Sequence, residues 1–367
     1  MSKSKAVLGL AFGDEGKGVV TNYLCSETKD PKTVVRFSGG HQAGHTVIHN
    51  SIRHVFSNFG SGSLQGVPTI WSRHCTVDPV GILNELVVLR RKGIEPKLYL
   101  DPNCPVTTPY DKFANMKSTD ETGHGTCGVG FGKTIEREEK MYSLKVADLL
   151  FPSVTKIKFS LIRDYYTCYR ITPTKDDEFL SKCEDLMHDN AVDFITNYLD
   201  ESIHIYEGSQ GLLLDKNIGF FPHVTRSNTG TVNLRKLGAY PELYLVTRAY
   251  QTRHGNGPMT NEGISHNIIR DLNETNQTHD FQGIFKISML DADLLQYAIS
   301  RDEGIKKGKF VLCITCVEHI SGKYQFSLGG EVCEFDTCNE FGHALRCLLG
   351  ASKCIIFANH VPVAQLD

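Results

Sequence analysis

The sequence predicts an α/β fold, with a large, mostly parallel central sheet flanked by helices. Short apolar runs alternate with amphipathic stretches along the whole chain, which is the pattern of repeated strand–helix units. Several apolar runs end in a glycine-rich or polar segment, and ligands bind at the strand ends of such sheets. The first run, Ala6–Ala11, leads into Phe12–Gly18, which predicts a P-loop-like phosphate-binding turn after the first strand.

The other elements follow in chain order. Short apolar runs bounded by turn-forming residues predict strands, and apolar residues at helical spacing predict helices. One segment is too rich in glycine for a regular element, so we predict a mobile or phosphate-binding loop. The predictions are a strand at Val34–Phe37, a helix at Pro79–Lys92, a strand at Lys97–Leu100, the loop at Thr119–Lys133, a long helix at Asp176–Tyr198, and strands at Ile203–Tyr206, Leu243–Thr247 and Phe310–Val317.

Composition is that of a globular protein. Hydrophobic residues make up 40% of the 367 residues and charged residues 22%, which are ordinary shares. No internal repeat or linker divides the chain, so we expect a single catalytic domain over residues 1–367. The net charge of −3 argues against binding to a nucleic-acid backbone, which requires a basic excess.

Neither a targeting segment nor a membrane span is expected. The N-terminal apolar run is too short for a signal peptide and has no small-residue cleavage site. No stretch approaches the roughly 18 consecutive apolar residues of a membrane span. The 12 cysteines lack framework spacing, so we expect reduced thiols in a cytoplasmic protein. Cys313 and Cys316 fall in a predicted strand, where residues three apart point to opposite faces.

The turn Gly13–Gly18 carries the first candidate site. Its glycines let backbone N–H groups approach phosphate oxygens, and Lys17 adds a positive charge at a helix start. The spacing is not that of a Walker A motif. A plain strand-to-helix turn would explain the glycines but not the adjacent Asp14 and Glu15. Carboxylates beside phosphate are costly unless they bind Mg²⁺ or move a proton.

A second candidate is Ser38–Thr46, which contains His41 and His45. Histidines four residues apart on a helix would suit zinc, but the surrounding glycines argue against a helix. Two other interpretations are a structural loop and a loop that contacts a phosphate or a base. In the last of these, a histidine could donate to a transferring phosphoryl group.

A third candidate is Tyr206–Asp215, in which Gln210 lies between two glycines. A glutamine in a polar turn would explain the pattern without any function. A buried glutamine at that position could instead orient a carbonyl or an amide of a ligand, because its amide both donates and accepts hydrogen bonds. The segment alone leaves both interpretations open.

Together with two further segments, these motifs resemble the adenylosuccinate synthetase family. Five matches in the same order make the resemblance specific. It implies a single α/β domain, active as a homodimer, that joins L-aspartate to C6 of a purine nucleotide. A nucleoside triphosphate would first phosphorylate O6, and the amino group of aspartate would then displace phosphate. The family's WGDEGKG appears as Phe12–Gly18, its GGHNAGHT as Gly39–Thr46, its EGAQG-LLD as Glu207–Asp215, its YPYVTSSNT as Phe221–Thr229, and its STR-GAGP-PTE as Thr252–Glu262.

The resemblance also implies roles for individual residues. Asp14 matches the general base that takes the N1 proton and also binds Mg²⁺, and the Gly44 carbonyl matches a second Mg²⁺ contact. His45 matches the acid that assists phosphoryl transfer, and Gln210 matches the residue that holds the base near O6. Arg137 is a candidate phosphate contact across subunits. The remaining implied nucleotide or phosphate contacts are Gly13, Glu15, Gly16, Lys17, Gly18, Gln42, Thr46, Thr126, Cys127, Thr225 and Arg253.

Three departures from the family pattern bear on the substrates. The family reads guanine of GTP with Thr-Lys-x-Asp, whereas this chain has Thr315–Glu318 without the lysine, which favours ATP over GTP as the phosphoryl donor. The arginine-rich loop that binds aspartate is replaced by Thr275–Gly283. Cys127 stands where a threonine usually contacts phosphate, and Thr126 could substitute for it. Without the arginine-rich loop, either aspartate is bound by hydroxyl and amide groups of Thr275, Asn276, Gln277 and Thr278 together with an arginine from elsewhere, or the amino donor differs.

These departures resemble the bacteriophage branch of the family, the aminodeoxyadenylosuccinate synthetases, which act on dGMP with ATP. The resulting prediction is a Mg²⁺-dependent ligase that converts dGMP, ATP and L-aspartate into 2-amino-2′-deoxy-N6-succinyladenylate, a precursor of diaminopurine deoxynucleotides, in the cytoplasm of a phage host. One alternative is a divergent adenylosuccinate synthetase that uses IMP and GTP. Another is a nucleotide-binding regulator that has lost the reaction, which the retained Asp14, His45 and Gln210 argue against.

Overall fold

The structure is a computed structural model that describes residues 4–30, 32–122, 128–167, 175–195, 202–269 and 283–367. No helix in these ranges is long and apolar enough to cross a membrane. The strands are β1 (Lys5–Gly9), β2 (Lys32–Arg36), β3 (His45–His49), β4 (Ile52–Phe56), β5 (Thr69–Trp71), β6 (Leu98–Leu100), β7 (Val192–Phe194), β8 (Ile203–Gly211), β9 (Glu242–Arg248), β10 (Gln251–His254), β11 (Phe285–Ser288), β12 (Leu290–Asp291), β13 (Phe310–Thr315), β14 (Tyr324–Leu328), β15 (Glu331–Phe335), β16 (Lys353–Ala358) and β17 (Val361–Leu366).

Helices connect most of these strands. Short 3-10 turns cover Ser63–Gln65, Val146–Leu150, Leu212–Leu214 and Val317–His319. The α-helices of the described ranges are α1 (Lys17–Glu27), α2 (Pro79–Arg91), α3 (Pro109–Thr122), α4 (Phe131–Glu139), α5 (Pro152–Thr167), α6 (Asp176–His188), α7 (Thr231–Lys236), α8 (Ala292–Arg301), α9 (Glu303–Lys306) and α10 (Cys338–Leu349).

One sheet of ten strands organises the molecule, in the order β17-β16-β13-β9-β1-β8-β2-β5-β6-β7. All neighbouring pairs are parallel except β16 with β17, at one edge. This arrangement confirms the predicted mostly parallel α/β sheet. Smaller sheets pair β3 with β4 and β10 with β11, and a three-stranded sheet has the order β12-β14-β15.

Both faces of the sheet are covered, as its hydrophobic strands require. Residues alternate between the faces of a strand, and in β1 the side chains of Ala6 and Leu8 lie in one core cluster while Val7 lies in another. Helix α1 contributes Leu24 to the second cluster, and α10 contributes Phe341 to the first. Burial on both faces explains why these strands are continuous apolar runs rather than alternating ones.

The strand order determines where ligands can bind. The strands β13, β9, β1, β8 and β2 are consecutive neighbours and run parallel. Their carboxyl ends therefore lie at the same edge of the sheet. The polar segments that end or follow these strands, which were separate motifs in the sequence, are thereby gathered into one place.

The predicted helix Asp176–Tyr198 was wrong after His188, and its residues 196–198 lie outside the described ranges. Helix α6 ends at His188, and residues 192–194 form β7, which pairs in parallel with β6. Asp189 ends the helix in an extended conformation, and its carboxylate accepts hydrogen bonds from the Ala191 backbone and from both terminal nitrogens of Arg90. These tertiary contacts override the apolar spacing that continues past His188.

The predicted loop Thr119–Lys133 is shorter than expected. Helix α3 extends to Thr122 and helix α4 begins at Phe131. Gly130 precedes α4 with a φ of 89°, and a side chain there would lie 2.9 Å from the backbone nitrogen of Lys112. Glycine is therefore needed at this position for a close approach of two helices. Residues 123–127 lie outside the described ranges.

Candidate active site

A cleft of about 820 Å³ opens at the carboxyl ends of the central strands. Because the loops after β1 and β2 and the ends of β8, β9 and β13 meet there, the cleft collects residues that are far apart in the sequence. Its lining includes the complete turn Gly13–Gly18, the segment Gln42–Thr46, Gln210, Arg248 and Glu318. Three of the sequence motifs, including Asp14, His45 and Gln210, therefore share one cavity.

The turn after β1 has a backbone that leaves Asp14 facing the cleft. Gly13, Asp14 and Gly16 all have a positive φ, of 93°, 59° and 82°. Glycine adopts this region without strain, and Asp is among the few other residues that tolerate it. Arg248 donates a hydrogen bond from Nε to the carbonyl oxygen of Asp14. The Asp14 side chain is 23% exposed, so the carboxylate is accessible to a ligand.

Glu15 has a structural role within the same turn. Its Oε1 accepts hydrogen bonds from the backbone nitrogens of Ala11, at 2.9 Å, and Gly13, at 3.0 Å. Its Oε2 pairs with Lys17 Nζ at 2.6 Å, and both side chains are buried. Because this carboxylate holds the lysine and two backbone groups, Glu15 shapes the turn, whereas Lys17 could also reach a phosphate.

Replacing Glu15 with Gln is expected to lower the free energy of unfolding by about 2 kcal/mol. Breaking a buried ion pair costs roughly 3–5 kcal/mol, and the glutamine carbonyl can still accept part of the hydrogen bonds. Urea denaturation measures the loss. The matched control is Glu303→Gln, which removes an exposed pair with Lys307 and should leave the midpoint unchanged. An equal midpoint for both variants would contradict this role of Glu15.

His45 is held by a buried carboxylate. Its Nδ1 lies 2.7 Å from Oε1 of Glu207, whose carboxylate is fully buried and also accepts hydrogen bonds from the backbone nitrogen and the hydroxyl of Ser61. Within the described residues, Nε2 of His45 is buried without a hydrogen-bond partner. Since Glu207 occupies Nδ1, Nε2 is the ring nitrogen left for a ligand in the cleft.

The environments of these two groups shift both pKa values downward. Burial lowers the pKa of His45, although Glu207 opposes this effect. For Glu207, burial raises the pKa, but His45, Arg36 and the hydrogen bonds outweigh it and lower the pKa to about 2. Glu207 therefore stays ionised, and an anionic phosphoryl group near Nε2 would favour a protonated His45.

Glu207 is expected to stabilise the fold in a pH-dependent way. Its pKa in the folded chain is about 2, below the usual 4.5, so its contribution is present above pH 4.5 and is lost as the pH falls towards 2. The difference in free energy of unfolding between the wild type and Glu207→Gln should therefore shrink over this window. Chemical denaturation at a series of pH values measures it. A constant difference would contradict the assignment.

Gln210 completes the group of predicted catalytic residues. Its Oε1 is buried and, within the described residues, has no hydrogen-bond partner, and the residue lines the cleft. Gly39, with a φ of 69°, allows this arrangement, because a side chain there would lie 2.9 Å from that oxygen. A buried amide oxygen without a partner costs about 1–3 kcal/mol, which points to a ligand group at this position.

Three predicted contacts are not brought to the cleft. Arg137 is completely buried beside Asp111, with Nε 2.9 Å from Oδ1, and also donates to the carbonyl of Val106. Arg253 lies over the Phe12 ring at 4.2 Å, and its burial lowers the pKa to about 10. Thr225 donates its backbone N–H to Leu214 and is absent from the lining. The other predicted contacts lie outside the described residues: Thr126, Cys127, Thr275, Asn276, Gln277 and Thr278.

Three residues that the structure places in or beside the site had no role predicted from the sequence. Glu207 lies three residues before Gln210, and a carboxylate directly after the predicted strand Ile203–Tyr206 was a signal that it needs a partner. Arg248 and His254 line the cleft at the ends of β9 and β10. Arg248 precedes the motif Thr252–Glu262, and His254 belongs to it. Their contacts with Asp14 join residues more than 200 positions apart.

Comparison with known proteins identifies the family of this chain. A family model described as adenylosuccinate synthetase matches residues 6–308. The chain belongs to the adenylosuccinate synthetase family. Similar curated relatives are the adenylosuccinate synthetases of Hahella chejuensis, 32% identical over 286 residues, and Saccharophagus degradans, 32% identical over 285 residues. Each alignment covers 71% of this chain and 65% of the relative, so the chain matches less than two-thirds of these proteins.

Two solved structures have the same fold as this chain. Fully ligated adenylosuccinate synthetase from Plasmodium falciparum superimposes with a TM-score of 0.79 at 18% identity, covering 98% of both chains. Succinoaminodeoxyadenylate synthetase of cyanophage S-2L, bound to dGMP and dATP, has a TM-score of 0.62 at 15% identity, covering 95% of this chain and 99% of the other. At these identities the likeness concerns the fold.

Proposed function

We propose that this chain is a ligase that joins L-aspartate to C6 of a purine nucleotide, with a nucleoside triphosphate as phosphoryl donor. The observation that carries the proposal is the shared cleft of Asp14, His45 and Gln210. Family membership supplies the reaction class, a carbon–nitrogen ligation through a 6-phosphoryl intermediate. We further propose that the active form is a homodimer and that aspartate is bound by Thr275, Asn276, Gln277 and Thr278.

The three residues would divide the chemistry of the first step. Asp14 would take the proton from N1, so that the electron pair moves to O6 and makes this oxygen a nucleophile for the γ-phosphorus. As O6 bonds to this phosphorus, the bond from phosphorus to the β,γ-bridging oxygen would break, and the nucleoside diphosphate would leave with the electron pair. His45 would donate from Nε2 to the transferring phosphoryl group, and its Nδ1 would remain bonded to Glu207. The amide of Gln210 would hold the base near O6. General acid–base and electrostatic catalysis of this kind each contribute large rate factors.

The second step needs no further acid from the chain. The amino group of aspartate would attack C6, the C6–O bond would break, and phosphate would leave with the electron pair and take up the proton that the amine loses. The first step is what makes this possible, because O6 of a purine is a poor leaving group until it carries a phosphoryl group. Lys17, at the start of α1, is suited to contact a phosphate through its ammonium group.

The residues of the cleft fit Mg²⁺. Within the described residues, no group of three or more His, Cys, Asp or Glu side chains could hold a metal ion. Mg²⁺ does not need such a group, since one or two carboxylates and substrate phosphates usually hold it. The Asp14 carboxylate and the Gly44 carbonyl would contact the ion, and both residues line the cleft. Bound there, Mg²⁺ would neutralise phosphoryl charge.

We propose dGMP and ATP as the nucleotide pair. Glu318, at the position of the family's guanine-reading aspartate, accepts a hydrogen bond on Oε1 from the backbone nitrogen of Asn359 at 2.9 Å. A carboxylate engaged in this way is less suited to bind two guanine N–H groups, which supports ATP. The cyanophage enzyme of similar fold is described with dGMP and dATP, which is consistent with the proposed pair.

The curated relatives favour a second candidate, the pair IMP and GTP. They are named adenylosuccinate synthetases and share 30–32% identity with this chain, well above the identity with the cyanophage enzyme. This candidate uses the same cleft, the same base and the same acid. It differs in the substituent at C2 of the purine, in the sugar, and in the base of the triphosphate.

A substrate matrix tests the proposal. The purified chain is incubated with Mg²⁺ and aspartate, and with each combination of dGMP or IMP and ATP, dATP or GTP, and phosphate release and the succinylated product are measured. The expected result is the highest kcat/KM with dGMP and ATP or dATP. Faster turnover with IMP and GTP would select the second candidate. Binding of nucleotides without turnover in any combination would favour a nucleotide-binding regulator.

A further inference from the structure

His254 is a cleft residue whose chemistry the proposed reaction does not yet use. It ends β10 and pairs across the strands with Phe285 of β11. The two ring centroids are 4.7 Å apart, so the imidazole is packed on one face. Its neighbour Thr252 lies 3.4 Å from the carbonyl oxygen of Gly13 through its hydroxyl. Strand β10 therefore runs directly beside the turn that carries Asp14.

The ring of His254 faces the Asp14 carboxylate. Its Nε2 lies 3.7 Å from Oδ2 of Asp14, and its side chain is 13% exposed. This distance is too long for a hydrogen bond but short enough for a strong charge–dipole attraction. In sites without substrate, catalytic hydrogen bonds are often long and tighten when the substrate binds. A small movement of either side chain would join the two groups.

The two ring nitrogens of His254 make packing an insufficient explanation. Within the described residues, both are buried and neither has a hydrogen-bond partner. Each buried polar atom without a partner costs about 1–3 kcal/mol, whereas a phenylalanine would pack on Phe285 without this penalty. A histidine at this position is therefore explained by a polar function, and the Asp14 carboxylate lies 3.7 Å from its Nε2.

We propose that His254 is a positioning residue for Asp14. Its Nε2–H donates to Oδ2 of the carboxylate and fixes the carboxylate plane, which leaves Oδ1 directed at the N1–H of the purine. In this arrangement the ring proton is on Nε2, and Nδ1 is an acceptor. Asp14 is held on both sides, because Arg248 already binds its backbone carbonyl. The inference rests on the proposed function, since it assigns a partner to the proposed base.

Two variants separate the nitrogen from the ring. His254→Phe keeps an aromatic ring on Phe285 but has no donor, and His254→Gln keeps an N–H group near the position of Nε2. Loss of a residue that orients a reactive group typically costs 10- to 100-fold in activity. We expect His254→Phe to lower kcat about 10- to 100-fold, with the KM of both nucleotides within about threefold of the wild type. His254→Gln should recover most of kcat.

The kinetic outcomes decide the proposal in either direction. Wild-type kcat in His254→Phe would overturn it, because the nitrogens would then be dispensable. An equal loss of kcat in both variants, with unchanged far-UV and near-UV circular dichroism, would also overturn it, since the ring and not the donor would matter. A loss confined to the KM of one nucleotide would overturn it too and would make His254 a substrate contact.

A spectroscopic measurement tests the pairing without turnover. Nitrogen-15 NMR of the full chain labelled at histidine identifies which ring nitrogen carries the proton, and the resonances missing from His254→Phe assign His254. The wild type should show the proton on Nε2, and Asp14→Ala should change the distribution of the proton between the two ring nitrogens. A proton on Nδ1 in the wild type, or no change in Asp14→Ala, would overturn the pairing. If the wild type shows the pairing but turns over no nucleotide, the proposed function fails and the contact stands.

Discussion

Replacing Asp14 with Asn is expected to lower kcat about 10³-fold, because general acid–base groups contribute about 10²–10⁴ to enzymatic rates. The amide has nearly the same shape as the carboxylate but cannot take the N1 proton. The positive φ of 59° at this position is tolerated by Asn as well as by Asp, so the turn should keep its conformation. Steady-state kinetics with the best substrate pair from the matrix measures the loss.

The control for this variant is the same change, from aspartate to asparagine, at a residue outside the cleft. Asp336 is exposed and absent from the cleft lining, so Asp336→Asn should leave kcat unchanged. Binding of the purine nucleotide to Asp14→Asn, measured by titration calorimetry without the triphosphate, should stay within about threefold of the wild type. If Asp14→Asn retained more than about a tenth of the activity, another group would be the base.

Much of the fold could be predicted because the central strands are buried on both faces. Runs such as Ala6–Ala11 and Phe310–Val317 have no polar alternation, and only a sheet covered by helices on both sides explains such runs joined by amphipathic segments. The edge of the sheet was less predictable. Strand β7 has three residues and depends on pairing with β6, which nothing in its own sequence indicates.

The site was predictable where one motif contains both the residues that set the backbone conformation and the residue that would do the chemistry. The turn Gly13–Gly18 is such a case, since its glycines set the conformation and Asp14 follows from it. The partner of His45 was not predictable in this way. Glu207 is 162 positions away, and the contact depends on β8 pairing with β2 and β1 in one register.

Arg137 stays a predicted phosphate contact across subunits, but its surroundings within the chain were not predictable. A family resemblance suggested a phosphate contact there, but the sequence contains no information on which charges are paired. In the fold, α3 and α4 pack together and bring Arg137 onto Asp111, and Tyr166 donates its hydroxyl to the same carboxylate at 2.8 Å. A buried charge without a partner is strongly destabilising, and Asp111 supplies that partner within the chain.

The second large effect is expected at the His45–Glu207 pair. Replacing His45 with Gln should lower kcat about 10²- to 10³-fold, which is the loss measured when one preorganised donor to a developing charge is removed. Replacing Glu207 with Gln should lower kcat about 10- to 100-fold, because the residue acts through the ring it orients. Glu207 does not need to touch a substrate for this effect, since it is completely buried.

The double variant distinguishes this coupling from two independent losses. If Glu207 acts through His45, adding Glu207→Gln to His45→Gln should change kcat by less than about threefold, because interacting residues are not additive. Independent roles would instead multiply the two losses to about 10³–10⁵. Urea midpoints of all three variants must be measured in parallel, since Arg36 loses a charged neighbour when Glu207 is replaced. A multiplicative result in variants that remain folded would contradict the assignment of Glu207 as the group that orients His45.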